Sequence, residues 1–88
     1  MMIPAVSDNA AQKRFELTVD GQTSFLKYER THDVLTLIHT EVPESLRGHH
    51  LGEALVKYAL DAGRSEGLRI VALCPFVRAY LRKHPPAL

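Results

Sequence analysis

The sequence has one cysteine and no tryptophan, and aromatic residues make up only 7% of its 88 residues. A single cysteine excludes an intramolecular disulfide framework and fits a cytoplasmic setting. Neither sign of charge dominates: 11 Lys and Arg against 10 Asp and Glu leave a net charge of +1. So mild a balance gives no argument for nucleic acid, whose binders concentrate basic residues on one face. Long apolar runs are also missing, and none approaches the ~20 residues of a membrane span. Met1–Gln12 has no basic stretch followed by a long apolar one, so no secretory signal is read there.

What is present suits one small domain. Apolar residues are 45% and charged residues 24%, an ordinary globular balance. A chain this long buries roughly 60–65% of the surface it exposes when unfolded, enough for one core. Met1–Gln12 lacks periodicity and reads as a flexible leader, leaving 13–88 as the domain.

From Arg14 to Asp20, Phe15, Leu17 and Val19 alternate with polar residues, the pattern of a half-buried strand. Asp20-Gly21 is a two-residue hairpin signal. Gln22–Arg30 reads as a second strand with Phe25, Leu26 and Tyr28. After the polar Thr31-His32-Asp33, Val34–Val42 reads as a third. Its apolar residues fall on both faces, which suits a central strand.

Pro43 ends the ladder, and Glu44–His50 is a polar loop. Leu51, Leu55, Tyr58, Ala59 and Ala62 then recur at helical spacing, with Gly67 placed to stop the helix. Arg69–Leu73 is a short buried strand. Cys74-Pro75 opens a second helix whose inner face is Val77, Tyr80 and Leu81, ended by Pro85-Pro86. The fold class is therefore α+β: an antiparallel three-strand meander, then α-β-α, with the last strand parallel to the third.

The informative segment is Val42–Gly52. A strand ends, a loop turns and a helix starts among small residues. The first amides of a helix have no internal partners and sit at the positive end of its dipole, so they attract anions. Gly48 and Gly52 would let backbone approach a phosphate. The plainer reading of these glycines is that they shape a loop.

Val42-Pro43-Glu44 followed by Arg47-Gly48-His49-His50-Leu51-Gly52 resembles the acetyl-CoA motif of the GNAT N-acetyltransferase superfamily. That motif is Gln or Arg, two residues, Gly, one residue, then Gly or Ala. Arg47 and Gly52 match it. His50 stands where the first motif glycine is usual; its backbone amide survives the exchange, and a regular helix-start conformation is expected. Leu73–Pro85 looks like a minimal branch of the superfamily, and the similarity spans about Phe15 to Pro85.

The resemblance implies a truncated GNAT-like mixed sheet with two helices, binding acetyl-CoA or CoA as co-substrate and needing no metal. It implies that the strands flanking the first helix splay apart, and that Glu41 and Val42 offer backbone to the pantetheine arm. Arg47, Gly48, His49, His50, Leu51 and Gly52 would surround the pyrophosphate. Arg82, like Arg78 and Lys83, either contacts nucleotide phosphates or solvates its helix.

Acetyl transfer from a thioester needs a deprotonated nucleophile, a stabilised oxyanion and an acid for the leaving thiolate. Cys74, at a helix start that lowers a thiol pKa, is the candidate acyl acceptor or else a small core residue. His39 is the candidate base and Glu41 its alternate; both equally suit a polar strand face. Tyr80 matches the tyrosine that protonates the thiolate in larger members, or it packs in the core. His49-His50 lacks a third partner at metal-ligand spacing.

The expected activity is acetyl-CoA-dependent acetylation of an unidentified amine, by direct transfer or through acetyl-Cys74. The alternative is a CoA- or acyl-CoA-binding module with little turnover. No membrane partner is expected, nucleic acid is disfavoured, and the chain is read as a monomer or homodimer.

Overall fold

The computed structural model describes residues 4–85. Five strands form one sheet in the order of the sequence: β1 (Ser7–Asn9), β2 (Arg14–Val19), β3 (Gln22–Arg30), β4 (Val34–Glu41) and β5 (Arg69–Ala72). Pairing is antiparallel from β1 to β4, and β4 pairs with β5 in parallel. Helix α1 (Leu51–Ser65) joins β4 to β5, and α2 (Pro75–Lys83) follows β5. The result is the mixed sheet with two helices expected of an α+β fold.

The alternation in β2 works as read. Phe15, Leu17 and Val19 are buried, as are their β3 neighbours Ser24, Leu26 and Tyr28. The hairpin between them turns at Asp20 (φ 51°) and Gly21 (φ 76°), both in the left-handed region that a tight two-residue turn demands. Leu51, Leu55, Val56 and Ala59 of α1 and Val77 of α2 complete the core. Helix α1 lies over β2 and β3, and α2 lies against β4 and β5. The end of α1 closes with Leu68 N–H donating to the Gly63 carbonyl at 2.8 Å and Gly67 N–H to that of Arg64 at 3.2 Å.

One expectation needs correction. Part of the segment read as a leader is structured: Ser7–Asn9 pairs with Arg14–Glu16, and Ala10–Gln12 makes a 3-10 turn. No apolar alternation announces β1, because a polar contact ties it down. Tyr28 Oη donates to Asp8 Oδ1 at 2.5 Å, reaching across β2, and Arg30 adds an ion pair to Asp8 at 3.4 Å. Residues 1–3 of the leader, and Pro86 of the expected helix stop, lie outside the described residues.

Burial raises the Tyr28 phenol pKa, and the hydrogen bond to Asp8 and its charge raise it further, to about 12. A phenol held protonated by the fold stabilises it below the unfolded value near ~10, and that stability is lost as pH rises through the folded value. Tyr28→Phe should therefore cost about 1.5–3 kcal/mol near neutrality, the range for a hydrogen bond to a charged partner. The gap between wild type and variant should shrink at about pH 11. Urea unfolding at both pH values checks this; a gap independent of pH would contradict it.

A bulge in the β3–β4 ladder matters most for the site. Tyr28 is opposite Leu37, yet the next β3 residue back, Lys27, is opposite His39. The extra β4 residue, Ile38, shifts the alternation by one. Leu35 and Leu37 face the helices before the bulge, and Thr40, opposite the buried Leu26, faces them after it. Strand β5 ends at Ala72, opposite Leu37, and the amides of Leu73 and Cys74 both donate to the Leu37 carbonyl. Beyond that point β5 has ended, and β4 runs on to Glu41 without it.

Candidate functional site

Because β5 ends opposite Leu37, the end of β4 has no paired strand on that side among the described residues, and α1 begins close by. Between them lies a cleft of about 330 Å³, lined by Thr40, Val42, Arg47, Gly48, His50 and Gly52 among others. Sequence reading placed Glu41, Val42 and the Arg47–Gly52 loop at such a site, and all of these except Glu41 and His49 line the cleft.

The loop builds this wall by backbone conformation. Glu44–Leu46 makes a 3-10 turn whose Leu46 is buried, anchoring the loop in the core. Arg47 is extended and exposed, with Nε donating to the Val42 carbonyl at 3.4 Å. Gly48 follows at φ 87°, a region open to glycine and strained for other residues. The chain then reaches His50, the residue capping α1.

His50 has φ 62° and ψ 26°, so the regular conformation expected for it is not the one adopted. The turn into α1 requires the left-handed region, which disfavours a side chain by about 1–2 kcal/mol. A glycine at this motif position avoids that cost. The His50 ring lies out in solvent, 78% exposed, and its Nδ1 is 2.6 Å from Glu53 Oε2.

Gly52 lines the cleft and also packs against α2. It is buried, and a Cβ there would meet Phe76 Cζ of α2 at 2.8 Å. Its lack of a side chain seats the Phe76 ring against α1. Phe76 was not foreseen as a site residue, yet it lines the cleft.

Cys74 is 3% exposed at the start of α2. Its Sγ is 3.5 Å from the Thr40 hydroxyl. Burial opposes ionisation of the thiol. Hydrogen bonds from the Thr40 side chain, from the Val77 and Phe76 amides and from the Thr40 backbone outweigh it, and the pKa falls below the ordinary value. Two of those amides belong to the first turn of α2, the effect foreseen from the Cys74-Pro75 position. Thr40 had no signal in the sequence, since it faces Cys74 only because of the bulge.

His39 is not brought to Cys74. The bulge turns His39 and Glu41 to the sheet face away from the helices, where they pair with each other at 3.3 Å and are each about 60% exposed. The Phe25 ring lies 6.3 Å from the imidazole on that face. Tyr80 does not line the cleft either. It packs on the His84 ring at 4.5 Å in the groove between α1 and α2. Arg82 is exposed on α2 and lines neither space.

The site thus joins a β4 end that outruns its parallel neighbour to a left-handed turn heading α1. Residues 14–87 match the family profile described as GCN5-related N-acetyl-transferase. The chain belongs to that family. Among curated proteins it is similar to Protein NATD1 of Mus musculus, 29% identical over 83 residues, covering 91% of this chain and 76% of that protein. Protein NATD1 of Homo sapiens matches at 29% with 91% and 74% coverage, and that of Danio rerio at 28% with 91% and 76%.

Proposed function

We propose that the chain is an acetyl-CoA-dependent N-acetyltransferase acting on an amine, with the Arg47–Gly52 loop holding the pyrophosphate. The observation that carries this reading is the cleft itself. Its wall is the left-handed Gly48–His50 turn and the first turn of α1, and it opens beside the end of β4 that β5 does not reach. Unpartnered helix amides there suit a diphosphate, and the backbone at Glu41 and Val42, past the reach of β5, suits the amides of a pantetheine arm, with the Val42 carbonyl also accepting from Arg47 Nε.

Acetyl-CoA supplies an activated thioester. Cys74, with its lowered pKa, is the acyl acceptor. Its sulfur bonds to the acetyl carbon as the bond to the CoA sulfur breaks, and the thiol proton passes to the departing sulfur. The amine then attacks the acetyl group on Cys74, the Cys74 thiolate leaves, and a base takes the amine proton. The His39–Glu41 pair lies on the sheet face away from Cys74, so it suits the base role only for an amine arriving on that open face. In direct transfer the same pair would serve an amine attacking acetyl-CoA itself.

A second reading, a CoA-binding module with little turnover, draws on one observation: Cys74 is nearly closed to solvent. Incubation with acetyl-CoA followed by mass spectrometry separates the two. The first reading expects an acetyl adduct on Cys74, lost in Cys74→Ala together with transfer to a panel of amines. Transfer that survives in Cys74→Ala would overturn the covalent route and leave direct transfer. Tight CoA binding with no amine acetylated would favour the module.

A further inference from the structure

Cys74 does not open directly into the cleft. The thiol is 3% exposed and is not among the cleft's walls, yet acyl chemistry at its sulfur has to be reached from there. Thr40 stands between the two. This half-buried residue lines the cleft, and its hydroxyl lies 3.5 Å from Cys74 Sγ, within hydrogen-bond distance for sulfur. Among the described residues no other side chain hydrogen-bonds the thiol.

The contact exists because of the bulge at Ile38. Unbroken alternation from Leu35 and Leu37 would turn His39 toward the helices and Thr40 to the open sheet face; the inserted residue reverses the two. It takes an imidazole away from the thiol and puts a hydroxyl in its place. The groups that ordinarily handle a thiol proton lie elsewhere. His39 and Glu41 pair with each other on the opposite face, and neither they nor Tyr80 line the cleft.

We infer that the Thr40 hydroxyl relays the proton of Cys74 to the sulfur of the departing coenzyme A. The inference rests on the acyl-acceptor reading of Cys74 above and assigns the route its proton takes. A hydroxyl suits the task because it accepts and donates at once. Beside the thiol, Thr40 Oγ1 accepts from Sγ–H, and its own hydrogen is free to point into the cleft. As Sγ bonds to the acetyl carbon, the thiol proton moves to Oγ1 and the Oγ1 proton moves to the CoA sulfur, whose bond to that carbon breaks. CoA leaves as a thiol, and Thr40 ends as it began. When the acetyl group has passed on to an amine, Oγ1–H turns to donate to the Cys74 thiolate, in keeping with the share of Thr40 in lowering the thiol pKa.

Two reactions of Cys74, each followed by intact-protein mass at neutral pH, test this. Acetylation by acetyl-CoA expels a sulfur that takes up a proton. Alkylation by iodoacetamide expels iodide, which takes up none. Thr40→Val keeps the β-branched shape that suits a strand and removes the hydroxyl. It should slow acetylation at least about tenfold more than alkylation, a lower bound against the roughly 10²–10⁴-fold that positioned proton transfer contributes. Thr40→Ser should restore most of the rate, and Thr40→Ala, which lacks the hydroxyl without adding a methyl, should show the same split as Thr40→Val. Equal slowing of both reactions would reduce Thr40 to a partner of the thiolate and overturn the relay, as would acetylation of Thr40→Val at the wild-type rate. Wild type that is alkylated at Cys74 but never acetylated there would remove the acyl-acceptor reading and the relay with it.

Discussion

Replacing Phe15 with alanine is expected to cost about 3–5 kcal/mol of folding stability, the range for removing a buried aromatic ring. Phe15 is 0% exposed, and its ring centroid lies 4.5 Å from that of Tyr28 and 5.4 Å from that of Tyr58. It therefore joins β2 to β3 and both to α1. A domain of this length has roughly 4–13 kcal/mol in all, so the variant should stand close to the edge of unfolding. Denaturant unfolding measures the loss. The prediction is also a test of register, because a one-residue slip of β2 would expose Phe15, Leu17 and Val19 together. A loss under about 1 kcal/mol would contradict the packing described here.

Replacing Gly48 with valine is expected to weaken CoA binding at least about tenfold, while folding stability falls by only about 1–2 kcal/mol. Space is not the obstacle, since a Cβ at Gly48 would meet nothing within 4 Å. Backbone conformation is. At φ 87° a β-branched residue is a true outlier, so the loop must rearrange and its amides must turn away from the cleft. Calorimetric titration of CoA into wild type and variant measures the effect. Unchanged affinity would mean that the loop does not hold the ligand. Gly52 makes an informative contrast, since its crowding comes from the tip of the half-exposed Phe76 ring, which can swing aside.

Much of the fold was legible because local chemistry and global packing agree. The alternation of Phe15, Leu17 and Val19 fixed the inner face of β2. Asp20-Gly21 named its own turn, and the 3.6-residue spacing of Leu51, Leu55 and Ala59 set the buried stripe of α1. Strand β1 was not legible, because Ser7, Asp8 and Asn9 show no apolar pattern and the strand depends on the distant phenol of Tyr28.

The loop of the site was legible as a motif, but the faces of β4 were not. Counting alternate residues from Leu35 and Leu37 puts His39 beside Cys74. The inserted Ile38 sends His39 and Glu41 outward and brings Thr40 inward instead. A bulge is a property of two paired strands, so neither strand's sequence declares it. The same limit hid Phe76, whose place depends on how α1 and α2 sit against each other. At His50 the residue itself misled, since a histidine gives no sign that its position requires the left-handed conformation of the usual glycine.

The central claim is that the Arg47–Gly52 loop makes this chain a coenzyme A binder, and thermal unfolding with and without CoA tests it most directly. At a free concentration about 100 times Kd, binding to the folded state alone adds about 2.7 kcal/mol. For a domain of this size that raises Tm by on the order of 10 °C. A shift of that order, saturating with CoA, is the predicted result; an unchanged Tm at millimolar CoA would contradict the account.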